Sequence, residues 1–322
     1  MTRGRVLLAL GGLAISAFFL WLAVRDADVD EVRAALEDAQ IEFVLVTVLV
    51  LACIYGLQAA RWQRIADAPR VPFRRFYEML LGGLACNNVL PVRIGEIVRA
   101  GWLSREAPMP GGRALGSVAL DRACDVVTLV VFLTIGLQVV PTPDWLKRIV
   151  VGALLALIVI AAALVFARQY TKSRERDRHE RGRVRRIARD TIDMLGEPLG
   201  RRRAAGWMAL GFGAWTLGTF AVFLVARSVG IDLEPLEAVF VSSALALGVA
   251  IPSSPGYVGT YQWLGVASLG LLDVPVNEAL AFSILMQASW FIPTTIAGGS
   301  IIVIRTLQSR VKAPTLDADT LP

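Results

Sequence analysis

Apolar runs able to cross a bilayer recur along the chain at 6–24, 42–61, 114–139, 149–167, 205–228 and 278–304, and short charged segments separate them. About 20 residues of helix cover a hydrocarbon layer of ~30 Å, so the pattern predicts an all-α polytopic membrane protein with about six full spans. Two further stretches are apolar but interrupted. Residues 76–104 read "FYEMLLGGLACNNVLPVRIGEIVRAGWLS", and residues 236–272 read "LEAVFVSSALALGVAIPSSPGYVGTYQWLGVASLGLL". Each half holds roughly 14–17 residues, or ~21–26 Å of helix, which is short for a span. They are expected to be re-entrant hairpins, broken at Pro91 and Gly95 in the first and at Pro252, Pro255, Gly256 and Gly259 in the second. A break inside lipid strands backbone polar groups unless protein or a water-filled cavity surrounds it. Asn87, Asn88, Ser253 and Ser254, placed at the breaks, argue for such a polar lining.

The order "span, hairpin, span" occurs twice, at 42–139 and 205–304, and both breaks share a proline followed four residues later by glycine, "PVRIG" and "PSSPG". Interrupted helices at matching places in two opposed halves point to a transporter's central site. The expected organisation is a first span and external loop at 1–41, a first transport half at 42–167, a basic cytoplasmic linker at 168–204, a second transport half at 205–304 and a disordered cytoplasmic tail at 305–322.

Loop charges set the orientation. Arg3 and Arg5 precede the first span, the loop 25–41 is acidic, and 61–76 carries Arg61, Arg64, Arg70, Arg74 and Arg75. By the excess of Lys and Arg on the inner side, both termini are cytoplasmic, as are 61–76 and 168–204, while 25–41 and 228–235 lie outside. The run 6–24 ends in "FFLWLAVRD" rather than in a small-residue cleavage site, so it is kept as a span of a cell-membrane protein and not a signal peptide. Trp21, Trp62, Trp102, Trp145 and Trp207 fall near span ends and are expected as interfacial anchors.

Composition adds little to this but removes other readings. The chain has 322 residues, 55% of them hydrophobic, and a net charge of +6. A basic balance in a membrane protein reflects topology and anionic lipid, so no nucleic-acid partner is expected. Within the linker, Ile187, Thr191, Met194, Leu195 and Leu199 share a helical face among basic residues. This predicts an amphipathic helix, with 168–203 meeting anionic lipid of the inner leaflet, against the alternative of a solvated linker. Cys53, Cys86 and Cys124 are widely spaced in apolar segments and are expected as buried small side chains, and His179 as a solvated group. No metal or cofactor is expected, and a homo-oligomer is left open.

Six charges sit where the pattern is apolar: Arg93, Glu96 and Arg99 after the first break, and Asp121, Arg122 and Asp125 in "SVALDRACDVVTLVV". At ~2.5–3.5 kcal/mol for each central charge, six unpaired groups would cost about 15–20 kcal/mol, more than a domain's stability. They must pair or face water. Glu96 is three residues from both arginines beside it, and Asp121 and Asp125 share a helix face. One reading is a set of helix-locking salt bridges. The other is a cationic pocket in which Arg93, Arg99 and Arg122, with Asn87, Asn88, Ser253 and Ser254, hold an anionic group. In it Glu96, Asp121 and Asp125 pair with the arginines or tune them.

"NNVLPVRIGEIVR", "DRACD" and "PSSPGYVG", in that order, resemble the transmembrane family typified by the flippase domain of lysylphosphatidylglycerol synthase. The resemblance covers nearly the whole chain and carries over Asn88, Pro91, Arg93, Gly95, Glu96, Arg99, Arg122, Asp125, Pro252, Pro255, Gly256 and Gly259. Asp121 stands where the family usually has Glu. The soluble aminoacyl-transferase domain of the synthases is expected to be absent, since "SRVKAPTLDADTLP" ends the sequence. What the resemblance implies is lipid translocation without lysyl transfer, with the substrate unassigned; together with the arginines it leads to the expectation of a flippase for a phosphate-bearing lipid or lipid-linked glycan. The alternative is an intramembrane enzyme on a polyprenyl-phosphate or phospholipid head group, with Asp121 or Asp125 as base. No histidine in a span and no phosphate-cradling Gly-rich motif supports it. A third reading is an anchor that recruits partners through 168–203.

Overall fold

The computed structural model describes residues 3–90, 94–140, 148, 152, 183–195, 200–248 and 255–311. Among them there is no strand. The chain runs through α1 (Arg3–Val24), α2 (Val29–Glu37), α3 (Ile41–Ala66), α4 (Phe73–Val89), α5 (Gly95–Glu106), α6 (Gly111–Gly136), α7 (Arg183–Leu195), α8 (Arg201–Ser228), α9 (Pro235–Gly248), a single 3-10 turn (Pro255–Tyr257), α10 (Thr260–Gly270) and α11 (Val276–Val311). Residues 41–66, 202–228 and 276–308 form helices long and apolar enough to cross a membrane, with mean hydropathy 2.3, 1.8 and 1.4. α6 matches α3 in length at 26 residues but carries Asp121, Arg122 and Asp125. The expected span at 149–167 lies outside the described residues, apart from residue 152.

The helices form one bundle with two ends of opposite character. At one end the Asp28 N–H donates to Asn277 at 2.8 Å and the Gln40 N–H to the Ser228 carbonyl at 2.9 Å. That end gathers the acidic loop after α1, the turn after α8 and the start of α11. At the other end Arg305 of α11 donates to Glu78 of α4 and Glu106 of α5 at 2.8 and 2.7 Å, and stacks on Trp102. Trp207, Ile65 and Met194 pack together on the same side. The loops 25–41 and 228–235 thus share one end of the bundle.

α4 and α5 pair as a hairpin whose mouth is held by Arg305, and α9 and α10 pair as a second hairpin opening to the acidic end, where Leu233, Ala238 and Leu269 share a core. The two hairpins thus enter the bundle from opposite ends, because their flanking long helices, α3 and α6 against α8 and α11, run that way. At the first turnaround Asn87 accepts the Gly95 N–H at 2.8 Å. α4 and α5 cross so closely there that a Cβ on Gly95 would stand 2.1 Å from the Gly83 carbonyl oxygen. Only glycine permits that approach.

Four expectations meet a different arrangement. Part of the apolar edge of α7 is covered by protein: Met194 is buried against Ile65, Cys124 and Trp207, and the Thr191 hydroxyl donates to the Gly112 carbonyl at 3.0 Å, while Ile187 stays exposed. The tail begins as helix, since α11 continues to Val311. Trp62 is no interfacial anchor. It is 0% exposed, with its indole N–H donating to Ser117, and Trp207 is buried too. Of the cysteines, Cys124 is buried and Cys86 half-buried, but Cys53 is exposed on the outer face of α3. His179, Trp145 and Leu199 lie outside the described residues.

Candidate functional site

The charged residues of α5 and α6 meet a residue from α3 that the sequence pattern assigned to a loop. Arg61 is 0% exposed. Its Nε donates to Asp121 Oδ1 at 2.8 Å, and its Nη2 donates to Asp125 Oδ1 at 2.8 Å and to the Asp121 carbonyl at 3.2 Å. One guanidinium therefore bridges two carboxylates one helical turn apart, which suits the planar fork of arginine. Arg99 donates from Nη2 to Asp121 Oδ2 at 3.1 Å and lies over the Trp62 ring at 4.2 Å. It is buried and does not reach the cavity wall. Its setting is that of a helix lock joining α5 to α6.

Arg122 and Glu96 are placed differently. Arg122 Nη1 reaches Asp125 Oδ2 at 3.3 Å, and its Nε stands 3.8 Å from Glu96 Oε1. Their side chains are 38% and 29% exposed. Glu96 also accepts from the Asn87 amide at 3.3 Å on each oxygen, so its hydrogen bonds are long. Asp125 is shared further, accepting the Trp215 indole N–H at 3.2 Å. Arg61, Arg99 and Arg122 against Glu96, Asp121 and Asp125 leave the described cluster formally neutral.

Asn87, Asn88, Glu96, Arg122 and Asp125 form one edge of a cavity of about 350 Å³. Tyr257, Tyr261, Met286, Trp290, Val222 and Leu245 form another wall, so residues beside both helix breaks border the same space. Asn88 donates to the hydroxyls of Thr294 and Thr295 at 3.0 and 2.9 Å, tying the first break to α11 just past Pro293. At the second break Gly256, Tyr257 and Gly259 have φ of 71°, 62° and 88°. A Cβ on Gly259 would lie 2.2 Å from the Ser16 carbonyl oxygen of α1, so the close approach and the positive φ both call for glycine. Gln287 donates to the Gly256 carbonyl at 2.6 Å, and Gln262 accepts the Gly259 N–H at 2.7 Å while donating to Gln287. Two glutamines thus satisfy the backbone that the break exposes, as a buried break requires.

The structure brings together Asn87, Asn88, Glu96, Arg122 and Asp125 at the cavity and sets Arg99 and Asp121 behind it. Pro91, Arg93, Pro252, Ser253 and Ser254 lie outside the described residues. Arg61, Gln262 and Gln287 were missed. A signal for Arg61 was present: Ala59, Trp62, Ile65 and Ala66 continue the apolar period of α3 past residue 61, which carries Arg61 into the helix. For the glutamines no such signal exists, since single amides in apolar helices look like surface residues until their partners are known.

An all-helical bundle with membrane-length apolar helices, two oppositely directed hairpins and a buried charge cluster defines a membrane protein of helical class. The chain belongs to the family described as lysylphosphatidylglycerol synthase TM region, which matches residues 9–298. It is 26% identical to a UPF0104 membrane protein of Methanothermobacter thermautotrophicus over 88% of this chain and 90% of that one. A UPF0104 membrane protein of Pyrococcus horikoshii is 23% identical over 94% of this chain and 98% of its own length. The chain is also similar, at 26% identity over 90% of its length, to the glycosyltransferase AglD of Haloferax volcanii, of which it spans 53%.

Proposed function

We propose that this protein moves a phosphate-bearing lipid or a lipid-linked glycan between the leaflets of the cell membrane. The two hairpins are re-entrant, and the head group is handled in the cavity between their breaks. Support comes chiefly from one observation: Arg122 and Glu96, the two half-exposed members of an otherwise sealed charge cluster, border a cavity shared by both breaks. Arg122, with Arg93 from the segment just before α5, receives the phosphate, since guanidinium pairs bidentately with phosphate oxygens. Glu96 holds Arg122 loosely, at 3.8 Å, and yields to the incoming anion. Asp121, Arg99 and Arg61 keep α3, α5 and α6 in register, and Asp125 anchors Arg122. In this topology the basic end faces the cytoplasm, and the positive face of α7 lies against anionic lipid of the inner leaflet.

Leaflet-specific labelling of lipid in proteoliposomes tests the reading. Wild type is expected to accelerate exchange over protein-free vesicles, while Arg93→Ala, Arg122→Gln and Glu96→Ala are slowed. Equal rates for all four proteins remove the assigned roles.

An enzyme acting on the same lipids is the second reading, favoured by the glycosyltransferase name of the Haloferax relative. That relative is about twice as long as the matched part, so its activity need not reside there. A lipid of changed mass after incubation would favour it.

A further inference from the structure

We infer that the cavity takes the first stretch of the lipid's hydrocarbon together with its phosphate, and that its ligand is a lipid phosphate monoester in which one chain begins at the phosphate oxygen. The inference rests on the reading of Arg122 as the phosphate site and specifies what lies beyond it. At the cavity Asn87, Glu96, Arg122 and Asp125 touch one another in sequence, and Tyr55, Gln58 and Ser242 add single polar groups to the lining. Most of the remaining wall is hydrocarbon and ring. Val222, Leu245, Met286, Tyr257 and Tyr261 line it and belong to the larger buried apolar cluster of the bundle. Trp290 closes it, stacked edge-on to Tyr261 at 5.7 Å.

A passage for a hydrated head alone would carry hydrogen-bonding groups around its whole circumference, because each polar ligand atom buried without a partner is costly. This wall offers few. Its shape suits an amphiphile that turns apolar immediately past the phosphate. A glycerol backbone, with two ester carbonyls between phosphate and tails, would set those acceptors against Met286 and Leu245. A volume of about 350 Å³ falls in the range of sites that bury a small molecule rather than a solvated phosphate ion.

The test uses full-length protein in zwitterionic nanodiscs, with calorimetric titration against empty nanodiscs. The probes are inorganic phosphate, glycerol phosphate and hexyl phosphate. Wild type is expected to bind all three, with hexyl phosphate tightest; a fully buried methylene is worth about fourfold in affinity. The hexyl-to-glycerol affinity ratio is then compared between wild type and the near-isosteric wall variants Met286→Gln and Val222→Thr. Partition of hexyl phosphate into the surrounding lipid is identical in every sample, so it cancels. The inference predicts that the ratio falls at least fivefold in Met286→Gln and at least twofold in Val222→Thr, while inorganic phosphate affinity changes less than twofold. An unchanged ratio in both variants, or glycerol phosphate binding tightest, overturns the inference while leaving the phosphate site intact. Failure of wild type to bind any of the three, or equal phosphate affinity in Arg122→Gln, overturns the phosphate site itself. Should Met286→Gln fail to fold, Val222→Thr alone decides.

Discussion

Arg61 and Arg122 carry the same group and share a carboxylate, Asp125, yet one is sealed and the other open. Arg61 is fully buried, with both carboxylates of α6 at 2.8 Å, whereas Arg122 is 38% exposed and meets its partners at 3.3 and 3.8 Å. In a low-dielectric interior a charge is tolerated only when short, directed bonds replace its water. Arg61 meets that condition at Nε and Nη2, though not at Nη1, and is fixed by those bonds. Arg122 is stretched between two carboxylates and faces a cavity, so its water or a ligand must complete it. Buried ionic groups in this bundle therefore divide into a part that holds helices together and a part left free to exchange partners.

The largest effect should come from breaking the sealed part. Arg61→Ala takes the shortest partner from two buried carboxylates, leaving Asp121 to Arg99 and Asp125 to Arg122 and Trp215, and breaking a buried ion pair costs about 3–5 kcal/mol. A lowered midpoint in thermal unfolding and a loss of monodisperse protein on purification are the expected outcomes. Arg122→Gln should do the reverse, lowering lipid transfer on the order of tenfold to a hundredfold while stability moves by less than about 1.5 kcal/mol. Parallel losses in both readouts for both variants would erase the distinction. Next in size is Asn88→Ala, which leaves Thr294 and Thr295 without a shared donor and is expected to cost about 1 kcal/mol and to loosen the first break against α11. Hydrogen exchange across 288–296 would report it. The smallest effect belongs to Cys53→Ala on the exposed face of α3, expected within about 0.5 kcal/mol of wild type with transfer unchanged.

How much of this was legible before any coordinates follows from what period and charge encode. Helix positions and the two breaks came from apolar runs interrupted by Asn, Pro and Gly, because those residues act locally. That 25–41 and 228–235 share an end was readable from their lack of Lys and Arg excess. Pairing across helices was not. Glu96 was expected within reach of either Arg93 or Arg99, but Arg99 turns instead to Asp121, and Glu96 to Arg122. The i, i+3 spacing names the neighbours a residue can reach and says nothing of a better-placed partner on another helix. Arg61 was lost for a related reason, since an arginine at an apolar run's end reads as a loop until the helix is seen to continue. The apolar edge of α7 is covered by protein at Met194 and open at Ile187, a division that sequence alone does not show.

The account stands or falls on the space beside Glu96 and Arg122 being wet and reachable while the region behind it is closed. In a background with Cys53, Cys86 and Cys124 replaced by serine, reaction with a small, charged thiol reagent should be measured for Gln58→Cys and for Ser117→Cys. Gln58 lines the cavity, and Ser117 is 0% exposed beside Trp62. Rapid modification at 58, slowed by hexyl phosphate, with none at 117 is the predicted result. Position 58 as inert as position 117 would contradict the open cavity and the lipid-handling role built on it.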